Sequence, residues 1–159
     1  IQDPVEPNLF FVGTETGLYV SIDGSKTYTK WKNGYPTVPT ADLVIHPREH
    51  DLVIGTFGRA LYVLDDIRPL RALAKEGVQV LDKPLKMFEI QDAYLANMRS
   101  NPGIEFPGDG TFAGQNKKEG AILSFVLNFE KKETKSDSVK VEVFNMKNEK
   151  IRTYRAEAK

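Results

Sequence analysis

The chain contains no cysteine, no excess of either charge and no long hydrophobic run. Without cysteine it forms neither disulfides nor a thiolate metal site. Lys and Arg together number 22, as do Asp and Glu, so the cationic surplus that nucleic acids and anionic membranes attract is missing. No stretch of about 18 apolar residues is present that could cross a bilayer as a helix. We therefore expect no nucleic-acid partner, no membrane insertion, no metal and no cofactor.

The hydrophobic content is nevertheless sufficient for a folded protein. Hydrophobic residues make up 40% of the 159 positions and charged residues 28%, which are the proportions of a globular chain with a packed core. The sequence begins at Ile1 and has no charged-then-apolar leader. We expect it to be part of something longer, or a processed product.

Two segments in the first half of the chain repeat each other. Residues 3–23 and 46–66 align over a Pro, an Asn/Asp-Leu pair, a Gly-Thr pair and a Leu-Tyr-Val run followed by Asp. Pro4 and Pro47 differ by 43 positions, and a period of roughly 40–45 residues is that of a four-stranded propeller blade. Two unrelated hairpins would not be expected to agree in spacing, turn residues and strand residues together.

Short β-rich runs separated by glycine turns occupy both repeats. Apolar residues dominate both faces of these runs, as expected for strands that are covered on both sides. The predicted strands are Phe10–Thr14, Leu18–Ile22, Ala41–Ile45, Leu52–Thr56 and Leu61–Leu64.

The segment 21–28 reads Ser-Ile-Asp-Gly-Ser-Lys-Thr-Tyr. It resembles the Asp box, Ser-x-Asp-x-Gly-x-Thr-Trp, of BNR-repeat proteins such as sialidases, xyloglucanases and sortilin-type receptors. An Asp at this position accepts hydrogen bonds from the backbone of the following turn, and Gly permits a left-handed conformation. Ser25 replaces the usual Gly and Tyr28 the usual Trp, while Gly24 stands next to the expected position. The residues predicted to form a structural Asp box are Ser21, Asp23, Gly24, Thr27 and Tyr28.

The resemblance extends along residues 38–66, which look like the last blade of bacterial sortilin-like BNR proteins, often labelled glycosyl hydrolases. It covers residues 1 to about 73 well and the remainder loosely. It implies an all-β fold in which the last blade or blades of a β-propeller precede a partial immunoglobulin-like β-sandwich. The implied domains are 1–73 for the propeller blades, 74–118 for an irregular linker or strap, and 119–159 for the partial sandwich.

The second half is less regular. We expect a short helix at Pro69–Glu76 ended by Gly77, and a long irregular connection over 84–116 with a strand at Lys86–Ile90. Three further antiparallel strands would form about half of a sandwich. These strands are predicted at Ala121–Phe129, Val139–Phe144 and Ile151–Tyr154.

An open propeller leaves strand edges unpaired, and three sandwich strands are only marginally stable. We therefore expect the remainder of the parent chain, or a partner chain, to complete the propeller.

Two clusters of polar residues have both a chemical and a structural interpretation. His46 and His50 lie near acidic residues, but His-Pro breaks a helix, so a turn is favoured over a metal site. Asp65 and Asp66 are adjacent, and adjacent strand residues point to opposite faces, so turn capping is favoured over a paired-carboxylate site. No catalytic residue is predicted in this chain.

A ligand face is predicted at the loops that join neighbouring blades, opposite the Asp-box turn. Asp23 is therefore a poor catalytic candidate. Arg59 could clamp a carboxylate bidentately, as sialidases do with three arginines, or form a structural salt bridge or loop hydrogen bond. The candidate residues of this face are Glu15, Thr16, Tyr35, Thr37, Phe57 and Arg59.

The leading functional hypothesis is a non-catalytic binding or scaffold module of a secreted or periplasmic bacterial protein that recognises glycan or polypeptide. The alternative is a glycoside hydrolase, sialidase-like or xyloglucanase-like, whose acid/base carboxylates lie in other blades roughly 5–10 Å apart. A third hypothesis is an interaction subunit of a larger envelope assembly.

Overall fold

The structure is a computed structural model that describes residues 1–94, 120–128 and 138–157. The chain divides into two compact units, Ile1–Asn128 and Phe129–Lys159. Regular structure in the described residues is mostly antiparallel β, which agrees with the predicted all-β class. None of the sheets in those ranges closes on itself.

The first unit contains two three-stranded antiparallel sheets, each with its strands in chain order. Three of the five strand predictions are confirmed to the residue; the strand predicted at Leu18–Ile22 is shifted by one position, and the strand predicted at Ala41–Ile45 also includes Thr40, which pairs with Thr56. The first sheet contains β1 (Phe10–Thr14), β2 (Gly17–Ser21) and β3 (Thr29–Lys30). The second contains β4 (Thr40–Ile45), β5 (Leu52–Thr56) and β6 (Leu61–Leu64).

The two sheets repeat each other in strand register. Gly13 pairs with Leu18 in the first hairpin, and Gly55 pairs with Leu61 in the second. Phe11 is opposite Val20 in the first hairpin. In the second, at the positions 42 and 43 residues further along, Val53 is opposite Val63. The sequence repeat is therefore also a structural repeat.

The hairpin turns repeat as well. Thr14 Oγ1 donates to the carbonyl of Gly17 at 3.0 Å, and Thr56 Oγ1 donates to the carbonyl of Ala60 at 2.6 Å. Gly17 and Ala60 both have positive φ angles, of 129° and 67°. In each turn, therefore, a threonine hydroxyl donates to the carbonyl of a residue whose φ is positive, a backbone conformation that L residues rarely adopt.

The first two residues extend the first sheet beyond β1. Gln2 forms an antiparallel bridge with Phe10. The amino group of Ile1 donates to the carbonyl of Phe11 at 2.8 Å, and the Phe11 N–H donates to the carbonyl of Ile1 at 2.9 Å. Residues 1–2 therefore lie against β1 as β4 lies against β5.

The main hydrophobic core lies between the two sheets. Strand alternation sends every second side chain to this side, and one contiguous cluster combines residues of both sheets. A Cβ atom added to Gly13 would lie 2.8 Å from the Thr40 carbonyl oxygen, so glycine allows β1 and β4 to approach closely. The buried residues that the two sheets contribute are Phe11, Leu18 and Val20 from the first, and Ile45, Leu52 and Ile54 from the second.

Helix α1 (Arg68–Glu76) replaces the last strand of the second repeat. Residues 72–73, which align with Thr29–Lys30 of β3 at a 43-residue offset, lie inside this helix. Pro at the start of the helix and Gly77 at its end, with a φ of 86°, fit the predicted bounds to within one residue. The Gly77 N–H donates to the carbonyl of Leu73 at 2.9 Å and closes the last turn.

A buried ion pair joins α1 to the beginning of the first repeat. The Asp3 carboxylate has no exposed surface and accepts hydrogen bonds from the backbone N–H groups of Val5 and Glu6, at 2.9 and 2.6 Å. Arg71 on α1 donates to the same carboxylate through Nε and Nη2, the latter at 2.8 Å. Its Nη1 also donates to Nδ1 of His50 at 2.9 Å. Residues 68 positions apart are thereby held together inside the unit.

The strand pairing after α1 differs from the prediction. A 3-10 helical turn at Val78–Asp82 leads into β7 (Leu85–Met87), which replaces the predicted strand Lys86–Ile90. Of the predicted strand Ala121–Phe129, only β8 (Phe125–Leu127) forms, and Phe129 lies outside the described residues. β8 pairs with β7, where Leu85 lies opposite Leu127.

The second unit contains one hairpin among its described residues. β9 (Ser138–Phe144) pairs with β10 (Lys150–Glu157), close to the predicted strands. Asn145 Oδ1 accepts from the N–H groups of Lys147 and Glu149, both at 2.9 Å, and shapes the turn. Among the described residues β9 and β10 pair with each other and β8 pairs with β7, and the sequence did not predict the partner of β8 because periodicity identifies a strand but not the edge that it pairs with. Residues 95–118 of the linker or strap predicted at 74–118 lie outside the described ranges.

Candidate functional site

The turn between β1 and β2, the turn between β5 and β6, and the connection from β3 to β4 lie at one end of the two sheets. The N–H of Phe57 in the β5–β6 turn donates to the carbonyl of Pro39 at 3.0 Å. Lys30 on β3 reaches Thr37 Oγ1 with its Nζ at 3.4 Å. The connection therefore contacts both sheets. The residues predicted for a ligand face at this end are Glu15, Thr16, Tyr35, Thr37, Phe57 and Arg59.

Phe57 and Arg59 are exposed members of this group whose side chains, an aromatic ring and a guanidinium, suit ligand recognition. The Phe57 side chain is 80% exposed, and Arg59 is exposed two residues further along the same turn. Within the part of the chain that the structure describes, the Arg59 guanidinium forms no ion pair or hydrogen bond. The described residues thus supply none of the structural partners considered for Arg59 from the sequence.

The other predicted residues of this face divide between surface and core. Glu15 and Thr37 are exposed, while the Thr16 hydroxyl hydrogen-bonds within its own turn to Thr14 Oγ1 at 3.1 Å. Tyr35 is buried, and its hydroxyl shares a hydrogen bond of 2.6 Å with Thr40 Oγ1. Its ring also packs edge-to-face against Tyr62 with centroids 5.0 Å apart. Tyr35 therefore anchors the connection in the core and presents little surface to a ligand.

The Asp-box turn lies at the opposite end of the first sheet, immediately after β2. Asp23 Oδ1 accepts from the N–H groups of Lys26 and Thr27 at 3.1 and 3.0 Å, and from Ser21 Oγ at 2.8 Å. Asp23 Oδ2 accepts from the Thr27 hydroxyl at 2.6 Å. Ser21 Oγ in turn accepts from the N–H of Ser25 at 3.0 Å. Both carboxylate oxygens are thus used to close the turn, which is a structural role.

Two consecutive left-handed residues complete this turn. Gly24 has a φ of 72° and Ser25 a φ of 70°, so Ser25 adopts the conformation at the position where the Asp-box pattern has Gly. The Gly24 N–H donates to the carbonyl of Asn8 at 3.0 Å, which attaches the turn to the segment before β1. Tyr28 lies with its hydroxyl against Ser25 Oγ and stays partly exposed.

Replacing Asp23 with asparagine should change how stability depends on pH. Hydrogen bonds from the Thr27 hydroxyl and backbone, and from Ser21, hold the pKa of Asp23 well below its ordinary 3.8. A lowered pKa means that ionised Asp23 stabilises the folded chain above pH 3.8, and that this contribution is lost as the pH falls below 3.8 toward the lowered pKa. The stability difference between the parent chain and Asp23→Asn is expected to be largest at neutral pH and to shrink in acid.

Urea unfolding at a series of pH values measures this difference. Asp42→Asn is the matched control, because Asp42 is exposed and is not part of the Asp-box turn. A difference for Asp23→Asn that stays constant from pH 7 to below pH 3.8 would contradict the turn-closing role of the carboxylate.

The second repeat uses an arginine at the corresponding turn. Asp66, 43 positions after Asp23, accepts from Arg68 Nε at 2.6 Å and from Nη2 at 2.8 Å. This hydrogen bond with Asp66 raises the pKa of Arg68. The Ile67 N–H donates to the carbonyl of His50 at 2.8 Å and so attaches this turn to the segment before β5. Asp66 Oδ1 also accepts from the backbone N–H of Arg68 at 3.2 Å, so this carboxylate closes the turn that leads into α1, in line with the turn-capping interpretation, while the N-cap residue Ile67 makes no side-chain hydrogen bond.

His46 and His50 also serve the turn between β4 and β5. His46 Nδ1 accepts from the N–H of Glu49 at 3.1 Å, and the Asp3 carboxylate accepts from Glu6 in the same way at the start of the first repeat. The N–H of His50 donates to the carbonyl of His46 at 3.0 Å, and the His50 ring contacts Arg71. Across the ranges described, no group of three or more His, Asp or Glu side chains is arranged to hold a metal ion.

A polar cavity of about 160 Å³ adjoins this turn. Residues 89–94, which follow β7, form one wall, and Gln91 Nε2 donates to Glu49 Oε2 at 3.2 Å. Arg48 and Arg68 line the cavity together with the acidic residues Glu49, Glu89 and Asp92. No sequence signal indicates this cavity, because it depends on a segment that returns to the turn from about 40 positions away.

No protein-family model, curated protein or solved structure matches this chain. The fold itself defines an all-β protein whose first unit contains a repeated antiparallel sheet. The one α-helix in the described ranges has nine residues, too few to cross a membrane.

Proposed function

We propose that the two repeated sheets are neighbouring blades of an Asp-box β-propeller, within a secreted or periplasmic module that binds glycan or polypeptide without chemical turnover. The shared hairpin register and the shared turn closure by Thr14 and Thr56 support neighbouring blades. Residues 1–2 pair with β1 at the edge of the first sheet, which is where the fourth, innermost strand of the first blade would lie. The hydrogen-bonded turn at residues 21–28 supports an Asp-box propeller in particular.

The binding surface in this proposal is the loop end of the sheets. The observation that carries it is the pair formed by Phe57 and Arg59, exposed on one turn, with the guanidinium unpartnered in the described residues. An arginine binds a carboxylate through two parallel hydrogen bonds, and an aromatic ring offers an apolar face for a sugar or a side chain. The ligand chemistry is therefore a carboxylate beside an apolar face, found both in acidic glycans and in acidic polypeptides.

Binding assays on the full chain distinguish these two sources. An array of sialic-acid and uronic-acid glycans is one arm, and peptides with acidic side chains or free carboxyl termini are the other. Arg59→Met should weaken binding of the retained ligand about 10-fold to 100-fold, because a charge-assisted hydrogen bond contributes about 1.5–3 kcal/mol. Arg48→Met is the matched control, since Arg48 is highly exposed and paired with Glu49 on the other end of the sheets.

Each outcome of this experiment decides something. Retention in one arm alone, lost with Arg59→Met and kept with Arg48→Met, supports the proposal and identifies the ligand class. Absence of binding in both arms, or equal affinities for the two variants, contradicts it. Hydrolysis of a bound glycan would contradict a binding module without turnover and would favour the alternative, a glycoside hydrolase.

A further inference from the structure

Equivalent positions on the two sheets have opposite environments. Leu18 in the first sheet is fully buried, whereas Leu61, its counterpart 43 positions later, is 71% exposed. The same reversal holds for Val20, which is buried, and Val63, which is 55% exposed. The reason is that the second sheet covers the first on this side, while no described residue covers the second sheet in the same manner. We call the uncovered side the trailing face, formed by Val44, Val53, Leu61 and Val63.

The first sheet has the converse surface. Val12 and Tyr19 pair across β1 and β2, as Ile54 and Tyr62 pair across β5 and β6. Ile54 is buried against the first sheet, but Val12 and Tyr19 line an open recess of about 240 Å³. We call this surface the leading face, formed by Phe10, Val12, Tyr19 and Tyr28.

The trailing face also retains the feature that permits close packing. Gly13 lets Thr40 approach to a distance that no Cβ atom would allow. Gly55 holds the same register position in the second hairpin and lies on the trailing face, where the three atoms nearest to an added Cβ all belong to Asp42 of its own sheet, at 3.5–3.8 Å. A surface with a bare glycine between exposed Val and Leu side chains is suited to another sheet at short range.

These two faces fit each other. The trailing face, on the second sheet, is equivalent to the surface of the first sheet that is buried inside this chain. The leading face, on the first sheet, is equivalent to the surface of the second sheet that covers that buried surface. Each copy of the chain therefore carries both halves of a contact that it already makes once internally. Because the two halves are different surfaces, such a contact is heterologous and can continue from one copy to the next.

We infer that a second copy of this chain docks by placing its leading face on the trailing face of the first, so that the internal packing of the two sheets is repeated between copies. The inference uses neither the loop end nor the ligand of the proposed function. It requires that the exposed side chains Leu61 and Val63 become buried in the complex, together with the recess at Val12 and Tyr19.

Complementation between two variants tests this arrangement on the full chain. Leu61→Lys with Val63→Lys removes the trailing face, and Val12→Lys removes the leading face. Each variant alone is expected to sediment at the chain mass of 17.9 kDa, because neither has both surfaces. An equal mixture is expected to form a one-to-one dimer of twice that mass, since the first variant keeps its leading face and the second keeps its trailing face. The parent chain should associate as its concentration rises.

Two controls keep the result interpretable. Val78→Lys changes a residue that is 58% exposed in the 3-10 helical turn, outside both faces, and should associate like the parent chain. If Val12→Lys does not unfold cooperatively in urea, Tyr28→Lys replaces it, because Tyr28 lines the same recess and is partly exposed.

A parent chain that remains monomeric to millimolar concentration would overturn the inference. A single-face variant that still forms dimers, with no gain on mixing, would overturn it too by showing that like faces pair. Absence of ligand binding by the parent chain would contradict the proposed function but has no bearing on either of these results, so the two are tested separately.

Discussion

Replacing Arg71 with methionine is expected to lower the free energy of unfolding by about 3–5 kcal/mol, the usual cost of removing one partner from a buried ion pair. The change leaves the fully buried Asp3 carboxylate with its two backbone donors and no countercharge. It also removes the contact between α1 and His50. Urea unfolding followed by the fluorescence of Trp31, the only tryptophan, measures the change, since Trp31 packs against the core between the sheets.

Arg48→Met provides the matched control for this effect. Arg48 forms an ion pair with Glu49, but its side chain is 76% exposed, and such surface pairs contribute about 0–1 kcal/mol. Asp3→Asn with Arg71→Met should cost less than the sum of the two single changes, because removal of both charges leaves no unpaired buried ion. A loss below 1 kcal/mol for Arg71→Met would show that the pair does not join α1 to the first repeat.

The second large effect is expected at Leu18. Leu18→Ala should lower the free energy of unfolding by about 2–5 kcal/mol, because it deletes a fully buried side chain and leaves a cavity between the sheets. Leu61→Ala makes the identical chemical change at the equivalent position of the second repeat. Its effect should stay within about 0.5 kcal/mol, since Leu61 is largely exposed.

This pair of variants separates the contribution of side-chain packing from that of intrinsic strand propensity. Both leucines lie opposite a glycine in a hairpin of the same register, so any intrinsic strand preference cancels between them. The measurement is made at low protein concentration, below the range in which copies associate. Equal losses at the two positions would mean that the two sheets do not have the inner and outer faces described for them.

The strands of the repeats other than β3 were predictable because their signals are local. Short apolar, β-rich runs and the turn glycines between them indicated the bounds of β1, β5 and β6, and the Asp-Gly-Ser sequence after β2 indicated the Asp-box turn. Helix α1 was predictable for the same reason, with Pro69 at its start and Gly77 at its end. Each of these features depends on residues within a few positions of one another.

Contacts between distant residues were not predictable. No pattern in the sequence connects Asp3 with Arg71, and a strand pattern at 125–127 does not reveal that its partner is Leu85–Met87. The repeat likewise showed which positions are equivalent, yet not that Leu18 is buried and Leu61 exposed, because that depends on which side of each sheet a neighbour covers.

The location of the candidate site was predictable from the sequence, but which loop residues face a ligand was predictable only in part. The alignment of hairpin turns placed Phe57 and Arg59 at the loop end, where the structure leaves both exposed. Tyr35 belonged to the same loops by position, but its neighbour Val38 and its hydrogen bond with Thr40 draw this segment into the core. A loop aromatic beside prolines can face either solvent or core, and the sequence does not distinguish these cases.

The central claim is that β1 of the first sheet packs directly on β4 of the second. A nuclear Overhauser spectrum of the full chain tests it through one contact, between the α-protons of Gly13 and the γ-methyl group of Thr40. The absence of a Cβ atom at Gly13 brings these groups together, so a strong cross-peak is predicted. A Thr40 methyl group whose cross-peaks reach only residues of its own sheet would contradict the account.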